Sequence, residues 1–142
     1  CYYMVGTNHN DVDSCAKLEN ASQKNGCYQK IAIAKKDDGL CQSITDISSK
    51  NYCLRQIALD SKSVNPCAYA TDKEANYECV LGIANINKDA SICEKIDSQG
   101  TRDKCMYNVG VTSQDSNVCR NIKDAGEKKN CEAGTKATNL QP

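Results

Sequence analysis

The segment 93–109 of the chain reads CEKIDSQGTRDKCMYNV, in which Cys93 and Cys105 stand 12 residues apart. The next step, from Cys105 to Cys119, is 14 residues, and the two steps alternate along the whole chain. The cysteines are Cys1, Cys15, Cys27, Cys41, Cys53, Cys67, Cys79, Cys93, Cys105, Cys119 and Cys131. By addition of the two steps the sequence is a tandem array with a period of 26 residues, and a period of roughly 20–50 residues indicates stacked repeats.

Composition narrows the class of protein. The 142 residues are the length of one domain, and 18 Lys and Arg balance 18 Asp and Glu. A net charge near zero argues against a nucleic-acid binder, which normally has a basic face, and against a polybasic membrane-surface protein. No apolar run reaches the roughly 18 residues that a bilayer span requires. We therefore expect no nucleic-acid partner and no membrane span.

The cysteine content points to an oxidising compartment. With seven Tyr and neither Phe nor Trp, the chain has few large groups for a core, and its eleven cysteines must compensate. Disulfides persist in secreted and surface proteins and, as an exception, inside hyperthermophiles. Asn is frequent in the chain, and because Asn is thermolabile this argues against a hyperthermophilic source. The expected location is extracellular or at the cell surface.

The residues around the first cysteine of each unit predict a short helix, here called helix A. Four positions before this cysteine stands Asp or Ser, whose side-chain oxygen can accept a bond from a free backbone N–H and so cap a helix. These residues are Asp11, Asp37, Ser63, Asp89 and Asp115. Three positions after the cysteine come Leu18, Ile44, Ala70, Ile96 and Ile122. Helix A is expected to end near the turn-compatible residues Asn20, Asp46, Asp72, Ser98 and Asp124.

The residues after the second cysteine predict a longer helix, here called helix B. An apolar residue four positions after a cysteine lies on the same helical face. These residues are Val5, Ile31, Ile57, Ile83 and Val109. The next position is always small, which lets a neighbouring helix approach: Gly6, Ala32, Ala58, Ala84 and Gly110. In one unit, helix B is predicted from about Arg102 to about Thr112.

The two helices make an α-hairpin, and stacked hairpins make a continuous thin core. No segment alternates with a period of two, so the predicted class is all-α. We predict one α-solenoid domain of about five hairpins, residues 1–142. Its parts are a partial repeat at 1–14, repeats at 15–40, 41–66, 67–92 and 93–118, and a polar capping repeat at 119–142. Glu132, Thr135 and Lys136 take apolar or small positions in that last repeat and make it polar.

Two regular disulfide patterns are possible, and helix geometry separates them. The midpoint of Cys93 and Cys105 is residue 99, inside the predicted turn, so these two residues lie level across a hairpin. The midpoint of Cys105 and Cys119 is residue 112, two residues from its turn, which gives a mismatch of roughly 6 Å. Added to the lateral separation of two packed helices, that mismatch exceeds the Cα–Cα distance of roughly 4.4–6.8 Å that a disulfide spans. The predicted pairs are Cys15–Cys27, Cys41–Cys53, Cys67–Cys79, Cys93–Cys105 and Cys119–Cys131.

Cys1 is left without a partner by this pairing, because its mate would lie 12 residues upstream. Three interpretations stay open. The array continues upstream, Cys1 bonds another subunit, or Cys1 is the lipidated first residue of a mature lipoprotein.

The chain lacks the groups that most enzymes need. His9, in a polar turn, is the one histidine, which removes Ser-His-Asp and Cys-His sites unless a second chain helps. No C-x-x-C occurs, so redox and zinc-ribbon motifs lose support. We expect no enzyme activity, no cofactor and no metal site.

Asn20-Ala21-Ser22 is an N-glycosylation sequon in the predicted turn between helices A and B. A glycan on Asn20 could project away from the repeats there. We therefore expect a possible glycan at this residue.

Cys93-Glu94-Lys95-Ile96 and the segment Arg102–Val109 resemble cysteine-paired helical repeats in predicted surface proteins of archaea and uncultured microbes. More loosely, the chain looks like the Sel1-type cysteine-rich α/α repeats of secreted bacterial proteins. It departs from them in its period of 26 residues, against about 34 in the tetratricopeptide class. The resemblance implies an extracellular structural or protein-interaction role and carries over no active-site residue. The expected function is a structural repeat protein that forms or decorates a cell-surface filament or coat by self-association. The alternative is a secreted binding module for a protein, peptide or glycan.

Overall fold

The computed structural model describes residues 2–137, and within them the chain is all-helical with no β-strand. The longer helices are α1 (Tyr2–His9), α3 (Ala21–Lys35), α5 (Ile47–Ser61), α6 (Lys73–Asn87), α7 (Gln99–Ser113) and α9 (Ala125–Ala137). Between them lie α2 (Val12–Ala16), α4 (Asp38–Cys41), η1 (Asn65–Tyr69), η2 (Ala90–Lys95) and α8 (Ser116–Cys119). The predicted all-α class and its repeated helical units are confirmed.

Four of the short helices, α2, α4, η2 and α8, begin directly after the predicted cap residue. The exception is η1, whose N-cap is Val64 instead of the predicted Ser63 and makes no side-chain cap bond. The Asp11 carboxylate accepts the backbone N–H of Asp13, and that of Asp37 accepts the N–H of Leu40. These helices end earlier than the sequence suggests, however. In two repeats the short helix is a 3-10 helix. These helices are η1, which ends at Tyr69, and η2, which ends at Lys95.

The longer helices begin earlier than the sequence suggests, because the residues expected to end helix A cap helix B instead. Asp46 accepts the backbone N–H of Ser49 at 2.8 Å, and Asn20 accepts that of Gln23 at 3.0 Å. Helix α7 likewise begins directly after such a residue, at Gln99 after Ser98, although Ser98 makes no side-chain cap bond, and it extends to Ser113. The predicted range of about 102–112 is too short at both ends.

Each longer helix from α1 to α7 ends with a residue in the left-handed conformation. These residues are Asn10, Lys36, Lys62, Lys88 and Gln114, with φ between 52° and 58°. The following residue then donates its backbone N–H to the carbonyl of the small residue on the longer helix, as in Asp37 N to Ala32 O at 2.9 Å. This six-to-one bond is the Schellman end of a helix.

The chain forms two compact units, Cys1–Ala75 and Asn76–Pro142, with the boundary inside α6. In the first unit, Ile31 lies with Leu18 and the disulfide Cys15–Cys27, and Tyr3 packs against them. Its second cluster joins Ala32, Cys41, Ile44, Cys53, Leu54 and Ile57. The buried apolar residues of the second unit are Cys79, Val80, Ile83, Ala84, Cys93, Ile96, Cys105, Met106, Val109, Cys119, Ile122 and Cys131.

Candidate functional site

The disulfides join the short helix of a hairpin to the longer helix that follows it. The bonded pairs include Cys15–Cys27, Cys41–Cys53, Cys93–Cys105 and Cys119–Cys131, with Cα–Cα distances of 5.6–5.8 Å. These distances fall in the usual range for a disulfide. Cys67 and Cys79 are disulfide-bonded as well, which makes five disulfides with the predicted spacing of about 12 residues. Cys1 lies outside the described residues.

The disulfide sulfurs belong to the core of the hairpins. Every described cysteine is at most 2% exposed. In the first unit the disulfide sulfurs therefore fill space that a large apolar side chain would otherwise have to fill. This compensates for the absence of Phe and Trp from the sequence.

The two glycines among the small residues of helix B make room for a disulfide of the next hairpin. A Cβ atom added to Gly6 would lie 2.7 Å from Cys27 Sγ and 3.0 Å from Cys15 Sγ. In the second unit, a Cβ on Gly110 would lie 3.0 Å from Cys131 Sγ. The sequence predicts close approach at these positions, and the atom approached is a bridging sulfur.

In two repeats of the first unit, an asparagine two positions before the second cysteine couples its hairpin to the next. The Asn25 side-chain oxygen accepts the backbone N–H and the hydroxyl of Thr45 at 3.0 and 3.1 Å. Asn51 accepts the same two groups of Thr71, each at 3.1 Å. Both pairs span 20 residues of sequence, so the bond crosses from one repeat to the following one. The periodic pattern of the sequence does not indicate this position.

Asp103 has the same role in the second unit, but with a carboxylate. It is 2% exposed, and its oxygens accept the backbone N–H of Lys123 at 3.1 Å and that of Asp124 at 2.9 Å. The Gln99 amide donates a third bond at 2.8 Å. Burial alone would raise the pKa of Asp103, but these bonds to the ionised form outweigh burial and lower its pKa.

Helix α1 has an apolar face that is exposed. Tyr2, Met4 and Val5 are 53%, 61% and 42% exposed. Two repeats later, the equivalents of Tyr2 and Val5 are Leu54 and Ile57, which are 1% and 2% exposed. Val5 is therefore exposed among the described residues, whereas its equivalent Ile57 is buried in one cluster with Cys41 and Ile44 of the hairpin's short arm.

The final helix is less polar toward the core than the sequence predicts. Thr135 is 2% exposed, and its hydroxyl donates to the backbone carbonyl of Glu132 at 3.1 Å. This bond satisfies the hydroxyl, so a threonine can take the position that Ile or Val takes in the other repeats. Lys136 is exposed, as a polar end requires.

The remaining predicted residues are exposed. Asn20 is the N-cap of α3 and lies in an exposed stretch, residues 19–23. His9 is the exposed last residue of α1 rather than part of a turn. Within residues 2–137, no hydrogen bond or ion pair joins Asn20 to His9.

No protein-family model, curated protein or solved structure matches this chain. Across residues 2–137, no group of three or more His, Cys, Asp or Glu side chains is placed to hold a metal ion. In that same part of the chain, every helix is too short or too polar to cross a bilayer.

Proposed function

We propose that this chain is an extracellular structural repeat protein that forms or decorates a cell-surface filament or coat. The observation that carries the proposal is that hairpins are bridged internally by buried disulfides and joined to the next hairpin by a side-chain bond. The disulfide opposes the unfolding of a single hairpin, and the side-chain bond helps to hold the next hairpin in place. Disulfides of this kind form and persist in oxidising compartments, which supports a location outside the cell.

We attribute the stability of this fold to its disulfide bonds, which are covalent and therefore persist on dilution and in the presence of proteases. Each closed loop of about 12 residues stabilises the fold by roughly 3 kcal/mol in the chain-entropy model. An ordinary domain has only about 5–15 kcal/mol in total. Permanent stability is what a surface filament or coat requires, whereas an enzyme also needs a reactive site.

The exposed face of α1 supports association with further helices. Its residues Tyr2 and Val5 occupy positions that Cys41 and Ile44, or their equivalents, bury elsewhere in the array. Burial of these apolar side chains under another helix would lower the free energy. Cys1 directly precedes Tyr2 in the sequence, and a disulfide from Cys1 to another subunit, one of the three interpretations given above, would make the association permanent.

The experiment is electron microscopy of native surface material, labelled with an antibody against this chain, before and after treatment with a thiol reductant. We expect labelled filaments or a labelled coat that disperse on reduction. Native material that contains only monomers would contradict the proposal.

A matched pair of variants tests the role of the α1 face. Val5→Lys places a charge on that face, whereas Ile86→Lys changes a side chain of similar exposure elsewhere, 50% against 42%. We expect loss of assembly in Val5→Lys alone, with unchanged helical circular dichroism in both. Equal assembly of the two variants would mean that α1 is not a contact surface.

A binding module is the second candidate, favoured by exposed apolar side chains in the first unit. Ile47, Tyr52 and Tyr69 are 60%, 51% and 50% exposed, whereas Tyr28 packs against the core. Exposed tyrosines are common anchors at interfaces. Cross-linking on intact cells, with Tyr52→Ser as the comparison, tests this candidate. A partner captured by the wild-type chain and lost in the variant would favour it over the filament.

A further inference from the structure

We propose that Asn20 carries an N-linked glycan in the exported protein. This inference rests on the extracellular location in the proposed function, but not on assembly into filaments. Asn20-Ala21-Ser22 is the single Asn-X-Ser or Asn-X-Thr triplet in the sequence. A triplet alone is a weak signal, and the structure supplies the further observations.

The Asn20 side chain divides its two polar atoms between different tasks. Its Oδ1 accepts the backbone N–H of Gln23 at 3.0 Å and thereby caps α3. Its Nδ2 makes no hydrogen bond within the described part of the chain. Residues 19–23 are all exposed, so a sugar on Nδ2 meets solvent and no packed neighbour.

The other repeats indicate that helix capping does not require an amide here. Asp46, Asp72 and Asp124 occupy the equivalent position, and each accepts a backbone N–H through a carboxylate oxygen. Asp and Asn cap helices about equally well. The Nδ2 atom of Asn20 is therefore unnecessary for the fold and free for modification.

Another asparagine provides a contrast. Asn51 uses its Nδ2 to donate to the Thr71 hydroxyl at 2.8 Å, in the bond between repeats. A glycan there would displace a structural bond. At Asn20 the modification leaves every described bond of the side chain in place.

The modification is a group transfer without oxidation or reduction. The donor is an oligosaccharide linked through a diphosphate to a polyprenyl lipid. The Nδ2 atom forms a bond to the anomeric carbon of the first sugar, and the lipid diphosphate leaves with the electron pair of the broken C–O bond. Nδ2 loses one proton to a base of the transferase. The product is a substituted amide whose Oδ1 still accepts the Gln23 N–H.

The test is peptide mapping by mass spectrometry of the protein purified from its own source. We expect the peptide that contains Asn20 to carry glycan mass. After treatment with an amidase that releases N-glycans, we expect Asp at position 20. Because Asp caps the equivalent helices, α3 should keep its N-cap after release of the glycan. An unmodified Asn20 peptide as the sole form would overturn the proposal.

Matched variants made in the same host separate modification from folding. Ser22→Ala removes the sequon and keeps the cap, whereas Ser48→Ala changes the equivalent serine of the next repeat. We expect complete loss of the glycan in the first variant and none in the second. Glycan retained in Ser22→Ala would also overturn the proposal. Microscopy tests the filament independently. Filaments without a glycan would contradict only the glycan proposal, and a glycan on monomers would contradict only the filament proposal.

Discussion

Replacement of Asp103 by Ala should weaken the second unit more than any change at an exposed carboxylate. The variant leaves the backbone N–H groups of Lys123 and Asp124 without the acceptor that they have in the wild-type structure. It also frees the Gln99 amide. The matched control is Asp103→Asn, because Asn25 and Asn51 perform the same coupling with an amide oxygen.

The expected magnitude follows from the two backbone bonds. A hydrogen bond to a charged acceptor contributes roughly 1.5–3 kcal/mol. Lys123 and Asp124 are exposed, so water can partly replace the carboxylate, and the lower value applies to each bond. We therefore expect Asp103→Ala to lower the free energy of unfolding by about 3 kcal/mol and Asp103→Asn by about 1 kcal/mol.

The assay is urea unfolding of the oxidised protein, followed by far-ultraviolet circular dichroism. The two variants should unfold at clearly different urea midpoints, with Asp103→Asn closer to the wild type. The reasoning is refuted if Asp103→Ala matches the wild type, or if both variants lose the same stability.

The same residue predicts a dependence on pH. The pKa of folded Asp103 is lowered, so its stabilising contribution is fully present above the unfolded value of about 3.9. The contribution is lost as the pH falls through the lower folded pKa. The stability difference between wild type and Asp103→Asn should therefore be constant from neutral pH to about pH 5 and shrink in stronger acid. A difference that grows as the pH falls would contradict the assignment.

Four further outcomes are expected. Gly6→Ala should destabilise the first unit by about 1–3 kcal/mol because its Cβ meets a disulfide sulfur, whereas Gly100→Ala, with nothing within 4 Å, should not; thermal unfolding compares the two. Asn85→Leu should stabilise the protein by about 1–2 kcal/mol, since its buried Oδ1 has no partner, and a lower urea midpoint would contradict this. Lys36 has a left-handed φ of 55°, so Lys36→Gly should stabilise the protein by about 1 kcal/mol. Lys35→Gly lies inside α3 and should destabilise the protein by a similar amount, as measured by urea unfolding. Reduction of the disulfides should remove most helical circular dichroism, and a reduced sample with an unchanged spectrum would show that packing alone holds the fold.

The periodic features of the sequence predict most of the fold. The alternating steps between cysteines and the Asp or Ser four residues before each first cysteine locate the hairpins and favour the 12-residue pairing. These signals are strong because each repeats the same chemistry at the same interval. Helix boundaries are predicted less well, since Asp46 and its equivalents are suited to both turns and caps.

The coupling between hairpins could not be predicted from the same pattern. Its members differ in chemistry, since Asn25 and Asn51 use an amide oxygen and Asp103 uses a carboxylate. Their partners lie 20 residues away, so only the packed arrangement identifies the bond. The exposure of Val5 was missed for a related reason, because the repeat pattern gives a helix face without stating what covers it.

The turn from one hairpin to the next has an evolutionary consequence. The Asp37 backbone N–H ends α3 at the Ala32 carbonyl, and its carboxylate begins α4 at the Leu40 N–H, 3.1 Å away. One residue thus ends one helix and starts another, with no spare residue between these tasks. Insertion of a single amino acid here would separate the two tasks, although Cys41 and Cys53, both downstream, would keep their spacing. Gain or loss of entire 26-residue units, as duplication of whole gene segments would produce, leaves every such turn intact.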